Sequence, residues 1–111
     1  MSQYDESMPI MPDVPLESED KSQLIGMSSV NIKFSQNIIG LEIANNSDDA
    51  TIYLNISGNI ATLSTGMPIY AKGFYSADKK ILQNIGISII SDKLNTDVRI
   101  IGHYNLESEL V

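Results

Sequence analysis

His103 is the only histidine in the chain, and the chain contains no cysteine. A metal site would therefore have to be built mainly from carboxylates, and a catalytic triad would depend on this one residue. Alternation along the last apolar segment places His103 on the same face as Arg99 and Ile101, opposite Tyr104. We predict a histidine at a surface or an interface, with no catalytic residues, no metal ion and no cofactor.

Acidic side chains are the next group that could bind a cation or transfer a proton. The candidates are the pair Asp48 and Asp49, the cluster Asp92, Asn95 and Asp97, and the terminal pair Glu107 and Glu109. The ligand order of an EF-hand, with its central glycine, is absent, and Asp and Asn are common turn formers. Glycine-rich phosphate loops and the nucleophile elbow are absent as well. We predict turns for the first two groups and an acidic chain end for the third.

Aromatic side chains indicate a possible binding face. Tyr70, Lys72 and Phe74 would share one face of a strand predicted over residues 69–76, and Tyr75 follows directly. Exposed aromatic rings on a β-face can stack on sugar rings or pack against another protein. Glycan binding and packing against a neighbouring subunit both stay open for this face.

Length and charge restrict the classes of function. The chain has 111 residues, which is enough for one domain, and a net charge of -7 with a pI near 4.4. That sign opposes direct binding to nucleic acid. No run of about 20 apolar residues is present, so we expect no membrane span. The first residues lack the positively charged and apolar regions of a secretory signal, which predicts assembly in the cytoplasm.

Residues 1–26 differ in composition from residues 27–111. They contain six acidic residues and one basic residue, and prolines recur at every third position at Pro9, Pro12 and Pro15. That period matches a polyproline II helix, which can stay extended without a core. We predict an N-terminal arm over 1–26, either solubilising or a docking segment that inserts its apolar side chains into a neighbouring subunit. Those side chains are Met8, Ile10, Met11 and Val14.

Period-two alternation from residue 28 onward predicts β-strands. A hairpin is predicted from residues 51–57 and 60–64 around the turn Gly58-Asn59. In total we predict about seven strands and an all-β fold, an antiparallel β-sandwich of jelly-roll type or a small barrel. Ile90 and Ile101 face away from the core side chains of their own strands, which predicts a second covered surface. Three sets of apolar residues show the period-two alternation: Val30, Ile32 and Phe34, then Ile39, Leu41 and Ile43, then Ile85, Ile87 and Ile89.

The order of short motifs between about residues 39 and 104 resembles a class of small β-rich bacteriophage virion proteins, which includes head-decoration and fibre or neck-associated subunits. The motifs occupy residues 43–48, 52–54, 61–62, 66–69, 71–73, 85–90 and 97–101. The resemblance implies a non-enzymatic β-sandwich that assembles, often as a trimer, and attaches to a capsid or tail through an edge or an N-terminal arm.

The resulting hypothesis is a virion structural protein, assembled in the host cytoplasm as a homo-oligomer for which a trimer is favoured. It would attach to a capsid, neck or tail protein through its arm. One alternative is a glycan-binding adhesion module that uses Tyr70, Lys72, Phe74 and Tyr75. Another is a small inhibitor or immunity-type protein whose acidity masks a basic target.

Overall fold

The fold is all-β. In a computed structural model, which describes residues 16–105 and the side chains from Glu17 onward, that part of the chain forms eight strands and no helix. The strands are β1 (Leu16–Ile25), β2 (Val30–Ile32), β3 (Gly40–Asn45), β4 (Ile52–Asn55), β5 (Met67–Ile69), β6 (Phe74–Ala77), β7 (Ile87–Ser91) and β8 (Thr96–Asn105). The abundance of isoleucine in the body agrees with this outcome, since β-branched side chains fit a pleated surface.

The strands form two four-stranded sheets. The first sheet has the order β1-β8-β3-β6, the second has the order β2-β7-β4-β5, and the paired strands run antiparallel. Eight strands in this order are a jelly roll. The predicted antiparallel β-sandwich is therefore confirmed, with eight strands rather than about seven.

Apolar side chains from both sheets form one core between them. Along β8, Val98 and Ile100 point inward and are buried, whereas Arg99 points outward. The second sheet contributes Ile52 and Ile89, which are fully buried. Alternation thus identifies the inner face of the central strands correctly.

The connecting loops divide between the two ends of the sandwich. We call one end the loop end; it is formed by residues 26–29, 46–51, 70–73 and 92–95. Leu16 pairs with Asn105 and Ile25 pairs with Thr96, so β1 begins at the opposite end and finishes at the loop end.

The predicted boundary between arm and body at residue 26 differs from the structure. β1 covers ten residues of the predicted arm and pairs along its whole length with β8. Its inward side chains are mostly polar, and they find partners: Glu19 accepts hydrogen bonds from the Ser35 backbone N–H and hydroxyl at 3.0 and 2.9 Å, and Lys21 lies over the Phe34 ring. Composition misses such a strand because its inner face is not apolar. Inward charges are also a known protection of edge strands.

The predicted hairpin around Gly58-Asn59 is wrong. β4 ends at Asn55, whose Oδ1 accepts hydrogen bonds from the Ser57 N–H and hydroxyl and so starts a turn. The chain then follows a long loop, residues 56–66, before β5 pairs with β4 through Ile52 and Ile69. The Gly58-Asn59 motif therefore does not form a two-residue hairpin turn, and lies instead within the longer loop of residues 56–66.

The loop of residues 56–66 covers part of the outer face of the second sheet. The Ala61 N–H donates to Ser88 Oγ at 2.9 Å, and a Cβ at Gly66 would lie 2.9 Å from Tyr53 Cβ. Ile90, which pairs with Tyr53 on this outer face, is 9% exposed. The second covered surface predicted from Ile90 exists, and part of its cover comes from the chain itself.

Candidate functional site

The outer face of the first sheet is one candidate surface. Cross-strand pairing produces rows of outward side chains, and the best-defined row joins Asp20, Ile101, Glu42 and Ser76. As alternation predicts, Ile101 and His103 point outward, opposite the inward Tyr104. Their predicted role at an interface stays a prediction.

His103 forms the polar centre of this face. Its Nε2 lies 2.6 Å from Glu42 Oε2, and both side chains are about one-third exposed. The imidazole lies next to Gly40, which leaves space for the ring. Together with the outward Ser76, these residues line a shallow depression of about 470 Å³. The arrangement can exchange hydrogen bonds with a polar ligand or with a facing protein surface.

Asp97 and Arg99 form a second polar group on the same face. The guanidinium donates to both carboxylate oxygens at 2.9 and 2.8 Å, and Asn46 Nδ2 donates to Asp97 Oδ2 at 2.9 Å. The hydrogen bonds from Arg99 and then from Asn46 lower the pKa of Asp97 to about 2. The same partnership raises the pKa of Arg99. Both groups are fully charged at neutral pH, and they form a fixed ion pair.

Contacts connect the four loops of the loop end in a row. The Leu94 side chain lies against Gly26, where a Cβ would be 3.8 Å from Leu94 Cδ2. Two further contacts are ion pairs: Lys93 with Asp49 at 3.6 Å, and Lys72 with Asp48 at 3.3 Å. These ion pairs are exposed and individually weak. Together they align the loops 26–29, 92–95, 46–51 and 70–73 side by side.

Buried polar groups hold the same loops from below. Asn45 is 1% exposed, and its Nδ2 donates to the carbonyl oxygens of Ala50 and Ile69 at 2.8 and 2.9 Å. The buried hydroxyls of Ser91 and Thr96 lie 2.6 Å apart. Buried polar groups that are satisfied in this way define one arrangement of the backbone. The loop end is therefore a rigid surface.

Three large apolar side chains stand on that rigid end. Leu24, Met27 and Leu94 are 63%, 55% and 70% exposed. They come from the end of β1, from the turn after it, and from the turn between β7 and β8. We call these three residues the end patch. Sequence analysis missed it because these residues do not belong to one alternating set.

The predicted aromatic face is not formed. The segment 69–76 is divided between β5 and β6, which belong to different sheets, with a turn at Ala71 and Lys72, whose φ is 61°. Phe74 points outward on the first sheet, whereas Tyr75 packs against the core opposite Ile43. The turn requires the backbone N–H of Gly73 to donate to the Tyr70 carbonyl at 2.7 Å, which a continuous strand cannot do.

The other predicted positions have simpler outcomes. Asp92 Oδ1 accepts a hydrogen bond from the Thr51 N–H at 2.9 Å, and Asn95 has a φ of 56°, so both have roles in turns. The arm residues Met8, Ile10, Met11 and Val14, and the terminal pair Glu107 and Glu109, lie outside the described residues. Among residues 16–105, no three His, Asp or Glu side chains form a group that could hold a metal ion.

A search for a membrane span gives a negative result for this part of the chain. Over residues 16–105 there is no helix with the length and apolar character needed to cross a bilayer.

Comparison with known proteins adds a weak likeness. No family model matches this chain, and no curated protein matches it. A solved structure of Bacillus endospore appendages, described as a family of disulfide-linked pili, is similar to it with a TM-score of 0.44 and 11% sequence identity. The similarity covers 91% of this chain and 97% of that chain.

Proposed function

We propose that this protein is a non-enzymatic structural subunit of a bacteriophage virion, which associates with copies of itself and attaches to a capsid, neck or tail protein. The observation that carries the proposal is the end patch. Leu24, Met27 and Leu94 are each more than half exposed on a rigid end of the sandwich. Exposed apolar groups held together in this way are typical of protein interaction sites.

The architecture supports the same class of function by analogy. Jelly rolls occur in viral capsid proteins and in lectins, among others. A fold by itself does not define a function. The proposal therefore combines the fold with the end patch and with the resemblance of the motifs in residues 43–101 to small virion proteins.

The attachment segment of the proposal is shorter than the predicted arm. Because β1 belongs to the first sheet, the segment available for docking is residues 1–15, with Met8, Ile10, Met11 and Val14 as its apolar side chains.

Sedimentation velocity of the full chain over a wide concentration range tests self-association. We expect assemblies larger than a monomer, and a trimer would agree with the resemblance. A monomer at every concentration would contradict this part of the proposal.

Attachment is tested with purified particles that lack this subunit. The full chain should bind them, and a variant without residues 1–15 should remain folded by circular dichroism and fail to bind. Binding that survives the deletion would contradict the docking role. The deletion must stop before Leu16, because removing β1 would damage the sheet.

Glycan binding is a second candidate, on a different surface from the one predicted. Phe74 is 63% exposed on the outer face of the first sheet, opposite Ala44 and in one row with Arg99. An exposed aromatic ring on a β-face can stack on a sugar ring. A glycan array should show binding that Phe74→Ala removes and that Tyr70→Ala, at the comparably exposed Tyr70 of the loop end, leaves unchanged.

A further inference from the structure

We propose that the end patch of one copy binds residues 8–14 of a second copy, so that subunits join head to tail. This inference rests on the proposed self-association and names the two surfaces that make the contact. One partner is the patch of Leu24, Met27 and Leu94. The other is the segment that contains Met8, Ile10, Met11 and Val14.

The end patch stands on a fixed backbone. Leu94 packs over Gly26, which lies between the strand that carries Leu24 and the turn that carries Met27. The Ser91 N–H donates to the Gly26 carbonyl at 2.9 Å, which joins the two turns through the backbone. A surface that is already ordered loses little conformational entropy when it is covered.

Most of the segment cannot reach the patch of its own subunit. Leu24 is eight residues along β1 from Leu16, which is about 27 Å at strand spacing, and Met27 lies beyond it. Residues before Leu16 that turn back along β1 gain about 3.1 Å each in a polyproline II conformation, so Met8 reaches about 25 Å and Met11 about 16 Å. Most of the apolar side chains of the segment therefore stop well short of the patch of their own subunit.

The distance is much shorter between the segment of one copy and the patch of a second copy. β1 begins at the end opposite the loop end, where Leu16 pairs with Asn105. When two copies are stacked end to end, the start of β1 in one copy faces the loop end of the other. The segment then needs to cross only the short gap between the two subunits.

The chemistry of the two surfaces is compatible. Met8, Met11 and Val14 recur at every third position, so the three-residue period of polyproline II places them along one edge. Such an edge can cover three exposed apolar side chains in a row. The contact is small, and we expect weak, concentration-dependent binding that many copies strengthen through avidity.

The contact has a definite consequence for the shape of the assembly. Two different surfaces meet, so each subunit offers one free patch and one free segment after every addition. Such heterologous contacts produce rings when the rotation closes and open chains when it does not. Two copies that lie antiparallel and exchange their segments would instead close into a dimer with no free patch or segment.

A mixing experiment tests the proposal with full-length proteins. Leu94→Asp blocks the patch and leaves the segment intact, and Met11→Asp does the reverse. Each variant alone should self-associate at least about tenfold more weakly than the unchanged chain, since a charge is placed in the centre of an apolar contact. Mixed together, the two should form a 1:1 pair and nothing larger, because only one productive contact remains.

Matched variants separate a specific contact from a general effect of charge. Leu63→Asp changes a residue that is 45% exposed in the loop over the outer face of the second sheet, and Ser7→Asp adds the same charge to the segment next to Met8. Both should self-associate like the unchanged chain. Circular dichroism should show an unchanged β spectrum for all four variants, because Leu94 and Leu63 are surface residues.

The remaining outcomes overturn the proposal in distinguishable ways. If the unchanged chain self-associates and Leu94→Asp does so equally well, the patch is not the contact, while the proposed function stands. If Met11→Asp loses attachment to particles but keeps self-association, the segment binds a different protein. If the unchanged chain is monomeric at every concentration, self-association fails, and this inference fails with it.

Discussion

The outer faces of the two sheets have the same architecture and different surroundings. On the second sheet, residues 56–66 fold back over the strands, and Ile90 and Ser88 are 9% and 6% exposed. On the first sheet, the described residues leave the corresponding face open, with His103, Glu42 and the Asp97–Arg99 pair turned outward. One chain thus closes one face by itself and presents the other to its surroundings.

This difference explains why two similar residues have different roles. Ile90 and Ile101 both break the alternation of their strands, and both predict a covered surface. Ile90 lies on the face that the chain covers itself, whereas Ile101 lies in a row with Asp20 and Glu42 on the open face. An outward apolar residue by itself therefore does not tell whether the chain covers it.

The largest expected effect comes from a polar residue at the covered position. Ile90→Asn should lower the free energy of unfolding by about 3 kcal/mol, because an apolar contact is lost and an amide is buried. Ile101→Asn on the open face should cost less than about 1 kcal/mol. Urea unfolding of both variants measures the difference, and equal costs would mean that the two faces are covered to the same extent.

A second test adds one methyl group to each face. Gly66→Ala would place a Cβ 2.9 Å from Tyr53 Cβ and 3.0 Å from the Leu54 backbone nitrogen. We expect a cost of about 2 kcal/mol and faster amide exchange at Ala61 as the loop moves away. Gly40→Ala is the control, because its Cβ would meet His103 Cδ2 at an ordinary 3.5 Å. Unchanged exchange at Ala61 in Gly66→Ala would show that the loop does not depend on this close approach.

A third test removes one hydrogen bond of the cover. Ser88→Ala leaves the buried Ala61 N–H without the acceptor that lies 2.9 Å away. The expected cost is about 1 kcal/mol, the usual range for a buried donor that loses its partner. Ser76→Ala on the open face removes an exposed hydroxyl and should be neutral. Thermal unfolding of both variants measures the loss of stability. If Ser88→Ala is neutral, the hydrogen bond contributes little to holding the loop on the face.

The smallest effect is the response of the open face to acid. The pKa of Asp97 is lowered from 3.8 to about 2, so its contribution to stability is complete above pH 3.8 and is lost as the pH falls through 2. The group is exposed, and we expect only a small change in stability. A carboxyl NMR titration should give a midpoint near 2, and Arg99→Gln should move the pKa back toward 3.8. A midpoint near 3.8 in the unchanged chain would contradict a fixed ion pair.

Sequence patterns predicted the inner face of the sandwich well and its outer contacts poorly. The alternation around Ile43 and Ile100 corresponds to the buried side chains of the first sheet. By contrast, Gly58-Asn59 carried the signal of a tight hairpin, and the structure contains a long loop at that point. The energy of a two-residue turn is local and small, whereas the loop covers Tyr53 and Ser88 on a strand surface that would otherwise be exposed.

The candidate surfaces show the same division. Alternation along one strand placed His103 and Ile101 on the correct face. The prediction of an aromatic face with Tyr70, Lys72 and Phe74 was wrong, because it required one continuous strand. The end patch combines Leu24, Met27 and Leu94 from separate segments. Its members become neighbours only when the turns after β1 and β7 meet at one end of the sandwich.

The amino-acid sequence by itself determined an all-β chain with an isoleucine core. Burial on a pleated strand repeats every second residue, so a short stretch of sequence is enough to show it. The tertiary structure alone decided that the acidic segment from Leu16 to Ile25 is a strand, which face the chain covers itself, and which apolar side chains remain outside. Those outcomes depend on partners far apart in the sequence, such as Glu19 with Ser35 and Ala61 with Ser88. No local pattern contains that information.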